Sequence, residues 1–279
     1  MIDMVLHQQQ VETALAFLRD RSKEPPEVVI QLGTGLGELA KAMQVDCTLA
    51  YEDIPHFPRS TVASHAGNLA IGRLAGKRAA ILQGRFHCYE GYSAREVAFP
   101  IRVLALLGAK TAIITNASGG LNPAYRPGTL MVLADHLNLL GDNPLRGPNI
   151  DAWGPRFPDL STPYAPELRQ LALSLAERLG LAETTSGTYV CIPGPSLETP
   201  AETRFLRMIG ADAVGMSSVP EILTALHAGM RVLGLSVVAN VNDPDHFQPI
   251  LLDEIIAAAR KAEPRLQQLI ITLLSELQP

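Results

Sequence analysis

The chain has 279 residues, 47% hydrophobic and 18% charged, with a net charge of −5. A chain of this size buries roughly three quarters of its unfolded surface, and the low hydrophobicity and high charge typical of disordered chains are absent. The acidic balance, 23 Lys plus Arg against 28 Asp plus Glu, argues against broad nucleic-acid binding, which needs a basic footprint, but leaves room for one locally basic anion pocket.

In chain order, Val11, Ala14, Leu15 and Leu18 recur at helical spacing and predict a helix over residues 7–22, ended by Pro25-Pro26. Residues 28–32 form a short apolar run expected to be a buried strand. The glycine-rich turn Gly33-Thr34-Gly35-Leu36-Gly37 follows, then a short helix through Met43. Residues 69–74 and 78–83 predict a hairpin around Ala75-Gly76-Lys77. Residues 95–107 predict a helix stopped by Gly108. A strand over 111–115 runs into a second glycine turn, Asn116-Ala117-Ser118-Gly119-Gly120. Residues 129–135 predict another strand, and 144–163, rich in Pro, Gly, Asn and Asp, a long ordered loop. Helices are expected over 166–179, 201–209, 221–228 and 251–276, and strands over 187–192, 213–216 and 231–239. Short apolar strands alternating with helices indicate a single-domain α/β sandwich, residues 1–279, around a largely buried sheet. The hairpin makes that sheet mixed. In such folds ligands sit at the carboxyl ends of strands.

The three cysteines, Cys47, Cys88 and Cys191, are odd in number and show no CxxC spacing, which argues against a disulfide scaffold or a Cys-rich zinc site. His65, His87, His136, His227 and His246 form no HExxH-type pair, so no metal is expected. The N-terminal MIDMVLHQQQ lacks the features of a secretory signal. The most apolar long window, 222–239, is interrupted by His227, Arg231 and two glycines, and suits a helix, turn and strand better than a membrane span. These features predict a reduced, cytoplasmic protein with neither nucleic acid nor membrane as partner.

Several polar segments follow strands. In the first glycine turn, backbone N–H groups and a helix terminus can approach an anion, with the Thr34 hydroxyl as a further donor; a tight strand-to-helix turn explains the same glycines. Glu38 stands where a GxGxxG fingerprint needs glycine, and the Gly-Lys-Ser/Thr ending of a P-loop is missing. In Gln83-Gly84-Arg85-Phe86-His87-Cys88-Tyr89-Glu90-Gly91, extended alternation puts Arg85, His87 and Tyr89 on one face. An Arg fork and an imidazole can bind an oxyanion beside a flat aromatic wall; a solvated edge is the bland alternative. The 116–120 segment offers further N–H groups, or is a turn capped by Asn116. Glu198 can accept from a ligand N–H or cap the following helix. Ser217 or Ser218 can be an N-cap. Asn240, closing an apolar strand, offers a donor and an acceptor to a heterocycle edge, or is turn chemistry. No GxSxG elbow supports a nucleophilic triad. Spacing alone points to an α/β enzyme acting on a phosphate or nucleotide-like ligand.

Taken jointly and in order, Gly33 to Gly37, Ser64-His65-Ala66-Gly67, Gln83 to Gly91, Thr115 to Asn122, Asp135-His136-Leu137-Asn138, Asn143 to Asn149, Pro193 to Thr199 and Val214 to Glu221 resemble the trimeric purine nucleoside phosphorylase family. The resemblance runs from about residue 27 to at least residue 242. It implies a three-layer α/β sandwich with a mixed, partly barrel-like sheet. It also implies reversible phosphorolysis of purine (deoxy)ribonucleosides to free base and (deoxy)ribose 1-phosphate by a homotrimeric pentosyltransferase, with inorganic phosphate as co-substrate and no cofactor. By the same resemblance Thr34, His65, Arg85, His87, the Ala117 backbone and Ser217 bind phosphate. Tyr89 and Met216 contact the ribose. Leu197 lies against the purine, and Glu198 and Asn240 hold its edge, so that His87, Glu198 and Asn240 are the expected catalytic set. Phe157 matches a residue lent to the neighbouring subunit. Relatives carry a His for the ribose 5′-hydroxyl where this chain has Leu251-Leu252-Asp253-Glu254, leaving His246 as the substitute. Asn240 favours 6-oxopurines such as inosine and guanosine, since methylthioadenosine phosphorylases carry Asp there. That activity, and a catalytically silent nucleoside- or phosphate-binding protein, are the alternatives.

Overall fold

The computed structural model describes residues 3–22, 24–34, 36–61 and 66–278. Among them the helices are α1 (Met4–Arg19), α2 (Ala94–Val97), α3 (Phe99–Leu107), α4 (Pro166–Arg178), α5 (Pro200–Met208), α6 (Val219–His227) and α7 (Leu252–Glu276). The strands are β1 (Val28–Gln31), β2 (Gln44–Ala50), β3 (Asn68–Leu74), β4 (Lys77–Gln83), β5 (Thr111–Gly120), β6 (Leu130–Asn138), β7 (Thr184–Cys191), β8 (Ala213–Gly215) and β9 (Arg231–Val241).

The strands form one mixed sheet in the order β2-β3-β4-β1-β5-β8-β7-β6-β9. An additional parallel pairing of β5 with β9 closes β5, β8, β7, β6 and β9 into a barrel. The remaining strands extend from it as an open wing. Both faces are covered, because successive residues feed different cores. Val29, Ala80, Leu82, Ala112 and Ile114 pack with Val11, Leu18, Leu104 and Ile222 of α1, α3 and α6. Their neighbours Ile30, Ala79, Ile81 and Ile113 pack with Leu168, Leu175, Leu266 and Leu273 of α4 and α7. Burial on both faces explains why these strands read as continuous apolar runs.

Most predicted elements are present with shifted ends, and four departures have clear causes. β2 was not anticipated: it is a largely exposed edge strand, so its sequence lacks an apolar run. It lies so close to β3 that a Cβ on Gly72 would overlap the Gln44 carbonyl. The helix expected over 95–107 is two, meeting at Ala98, because Pro100 has no N–H to donate to the preceding turn. The expected short helix after the first glycine turn is a 3-10 segment, Glu38–Ala42. The Asn116–Gly120 turn is instead the second half of β5, which pairs with β9 as far as Gly120↔Val241. The 144–163 segment carries only a 3-10 turn, Asp151–Trp153. It is tied down by bonds such as Arg156 to the Leu145 carbonyl (3.0 Å) and Asn149 to the Gly154 carbonyl (2.9 Å). Among the described residues no helix is long and apolar enough to cross a membrane.

Candidate active site

The carboxyl ends of β1, β4, β5, β8 and β9 open into one pocket. It is lined by Thr34, Arg85, His87, Tyr89, Ala117, Leu197, Glu198, Met216, Ser217 and Asn240, together with Asn116, Asn242, Ile250, Leu252 and Ile255.

Its cationic end is built on the turn after β4. Gly84 has φ 108, a backbone conformation that glycine adopts without strain. Its carbonyl accepts from Gln31 (2.7 Å) and the Tyr51 hydroxyl (2.8 Å), which fixes the direction in which Arg85 leaves the strand. The Arg85 guanidinium is buried. It donates to Ser217 Oγ (3.0 Å) and Ser218 Oγ (3.2 Å) and sits 3.0 Å from Glu221 Oε1. Phe86 turns the other way, into aromatic contact with Tyr51 and Tyr92.

His87 and Tyr89 reach the pocket by a route other than strand alternation. β4 ends at Gln83, and Cys88–Glu90 is a 3-10 turn. That turn stacks the two rings at 4.6 Å and brings Glu90 Oε1 to 2.8 Å from both the His87 backbone N–H and Nδ1. Burial raises the Glu90 carboxyl, but hydrogen bonds from His87 and Thr61 outweigh it and hold it at about 2. An ionised Glu90 makes Nδ1 the protonated nitrogen.

The end of β1 approaches β5 closely. A Cβ on Gly33 would lie 2.8 Å from Asn116 Cα, so glycine is required there, and Thr34 follows directly into the pocket. The segment that follows is a 3-10 turn, and its Glu38 N–H donates to Glu263 Oε1 of α7 (2.6 Å). Below the pocket, Asn116 donates to Ser218 (2.8 Å) and accepts from Ser236 (2.6 Å), whose hydroxyl also meets Ser118 (2.6 Å). Asn116 is thus a buried strut rather than a turn cap. Ser218 holds φ 73 before α6 and makes no side-chain cap bond; its hydroxyl serves Arg85 and Asn116 instead.

The opposite end carries Glu198, Asn240 and Asn242. Glu198 immediately precedes α5, but the helix is capped by Thr199 and Glu202, so the Glu198 carboxylate turns into the pocket. Burial raises its pKa above the ordinary carboxylate range, against a lowering contribution from its own backbone N–H and from Asn242. Asn242 donates to Glu198 Oε2 (3.2 Å) and accepts from Asn240 Nδ2 (2.6 Å).

Two sequence-predicted residues among those described, His246 and Phe157, are not brought into this cluster. His65 lies outside the described residues. His246 is exposed, bonded to Asp243 (3.0 Å), and lines a neighbouring cavity. Phe157 projects from the 144–163 loop with 85% of its surface exposed. Conversely, the sequence reading missed the parts played by Glu221 and Ser236. Polar residues inside apolar strands were the available signal for Ser236, since a buried hydroxyl needs a partner. Among the described residues no cluster of three or more His, Cys, Asp or Glu could hold a metal ion.

Fold and pocket together define an α/β protein with one cleft, cationic at Arg85 and lined at its other end by the carboxylate of Glu198 and the amides of Asn240 and Asn242. Residues 27–275 match the Phosphorylase superfamily. Purine nucleoside phosphorylase 1 of Geobacillus stearothermophilus is 47% identical over 253 residues, covering 91% of this chain and 92% of its own. The purine nucleoside phosphorylase of Rattus norvegicus is 44% identical over 269 residues, covering 94% and 93%. The crystal structure of schistosoma purine nucleoside phosphorylase in complex with hypoxanthine superposes with a TM-score of 0.92 at 38% identity, covering 97% of this chain and 98% of that one. The chain therefore belongs to the Phosphorylase superfamily and, within it, to the purine nucleoside phosphorylase family.

Proposed function

We propose that this chain catalyses the reversible phosphorolysis of purine (deoxy)ribonucleosides, releasing free base and (deoxy)ribose 1-phosphate. The observation that carries this reading is the convergence of Arg85, His87 and Ser217 with Glu198 and Asn240 in one pocket. Relatives solved with hypoxanthine and with guanosine support it.

In this reading Thr34, Arg85, His87, Ser217 and the Ala117 N–H hold phosphate, with His65 assigned to the same group by resemblance. Tyr89 and Met216 flank the ribose, and Leu197 covers the purine face. Phosphate is already a nucleophile, so no protein nucleophile is needed. The glycosidic bond breaks through an oxocarbenium-like state, as in glycoside hydrolysis. Holding phosphate in line with the anomeric carbon supplies on the order of 7–11 kcal/mol in ideal cases. Glu198 accepts from purine N1–H, and Asn240 donates toward N7 as negative charge arrives there, a bond that strengthens in the transition state. The exposure of Phe157 fits a homotrimer in which it completes a neighbour's site. Light scattering tests the trimer, and loss of nucleoside affinity in Phe157→Ala tests the contribution.

A second reading rests on a different part of the lining. Ile250, Leu252 and Ile255 give one wall an apolar character, which suits an apolar 5′ substituent such as that of methylthioadenosine. One panel decides among the readings: inosine, guanosine, adenosine, xanthosine and methylthioadenosine, each with and without phosphate, with released base quantified. Phosphate-dependent release of hypoxanthine and guanine is expected. Release without phosphate, or no release of any base, overturns the phosphorolysis.

A further inference from the structure

Asn242 lies just beyond β9, and its backbone N–H extends the ladder by donating to the Gly120 carbonyl (2.9 Å). Arg207 of α5 donates to its carbonyl, and Arg204 of the same helix donates to Pro244 (2.9 Å) and Asp245 (2.7 Å). Glu198 is attached to the start of that helix, so the carboxylate and Asn242 are clamped to one another by backbone as well as by side chain. The Asn242 side chain is 3% exposed and stands between the two groups assigned to the base.

The hydrogen bonds run in one direction. Asn240 Nδ2 donates to Asn242 Oδ1, and Asn242 Nδ2 donates to Glu198 Oε2. An ionised carboxylate can only accept. It therefore dictates that Asn242 presents its nitrogen to Glu198 and its oxygen to Asn240. Asn240 must in turn present its nitrogen to Asn242.

We propose that Asn242 is a positioning residue that sets purine specificity by fixing which atoms Asn240 and Glu198 offer to the base. This rests on the phosphorolysis reading and deepens it. One Nδ2 proton of Asn240 is committed to Asn242, and the second is the donor available to a base. Glu198 Oε2 is committed likewise, which leaves Oε1 for an incoming N–H. A 6-oxopurine presents acceptors at O6 and N7 and a donor at N1, matching a donor amide and an acceptor carboxylate. A 6-aminopurine presents a donor at N6 and an acceptor at N1, so it meets N–H with N–H and a lone pair with a carboxylate. With the relay cut, the Asn240 amide is free to turn its oxygen to an N6 amino group, and the mismatch eases.

The test compares Asn242→Val and the smaller Asn242→Ala, each of which removes both bonds. For each, kcat/KM is measured on inosine and adenosine, with KM for phosphate and the melting temperature. The inosine-to-adenosine ratio should fall by about tenfold, the worth of one mismatched hydrogen bond in a polar site, with phosphate KM unchanged. A ratio unchanged in both variants, an equal fall on both nucleosides, or a wild-type ratio near one overturns the proposal. If Asn242→Val does not fold, Asn242→Ala carries the result. If the wild type splits no nucleoside, the phosphorolysis reading fails alone. Calorimetric affinities for hypoxanthine and adenine in wild type and variants then decide the relay by the same ratio.

Discussion

The buried pair Arg85–Glu221 offers the sharpest test of the proposed phosphate-binding end. Arg85 is 2% and Glu221 1% exposed. Among the described residues neither Glu221 oxygen has a hydrogen-bond partner, so the guanidinium 3.0 Å away is what answers its charge. Glu221→Gln keeps the shape and a polar oxygen near Nε but removes the counter-charge. Breaking a buried pair by removing one partner costs about 3–5 kcal/mol, and the retained amide oxygen places this variant near the lower end. Unfolding entropy of roughly 2.1 cal/mol/K per residue over 279 residues makes each kcal/mol worth about 1.7 °C. The expected loss is therefore about 5 °C in phosphate-free buffer.

Phosphate should restore much of that loss, because it supplies the missing negative charge. At one hundred times its Kd a ligand stabilises by about 2.7 kcal/mol. Tighter binding by a factor of about ten in the variant adds about 1.4 kcal/mol at equal phosphate. Scanning calorimetry of both proteins across a phosphate series reads the effect directly. A loss under about 1 °C without phosphate, or identical phosphate shifts in the two proteins, refutes the assignment of Arg85 to the oxyanion.

Glu198→Gln removes a buried carboxyl whose pKa lies above its unfolded value. Ionising such a group costs the folded state, a cost absent below the unfolded pKa and present in full above the folded one. The variant should melt no lower than the parent at neutral pH, with the difference vanishing in acid, while its activity on inosine falls; a melting point lowered selectively at neutral pH contradicts the sign. For the parent, kcat/KM on inosine should decline with acid at a pH above that of an ordinary carboxylate, and a profile flat through that range removes Glu198 from base recognition. Asn240→Ala should lower kcat by about a hundredfold, as loss of a donor to developing charge does, with phosphate affinity intact; near-parental turnover rejects its role. A Cβ on Gly215 would overlap the Tyr189 hydroxyl, which donates to the Ser217 carbonyl at 3.2 Å. Gly215→Ala should therefore cost about 1–3 kcal/mol of stability and raise KM for phosphate, and an unchanged phosphate KM detaches Ser217 from that ligand.

Local patterning in the chain already determined much of this protein. Buried strands such as β1 and the apolar part of β5 announce themselves as short β-branched and aliphatic runs, because both of their faces meet a core. The sequence singles out Arg85, His87, Glu198 and Asn240 as polar residues beyond apolar runs, and folding brings all four to line one pocket. Other features depended on distance. Whether 116–120 turns or stays extended is decided by β9, which pairs with it from more than 100 residues away. The barrel exists only through that β5–β9 closure. Glu221 reads as an ordinary helix-start residue until folding puts it against Arg85, and only folding sets Asn242 between Asn240 and Glu198. Their meaning lies in partners remote along the chain, and no local propensity encodes that a carboxylate will be buried facing a guanidinium rather than solvent.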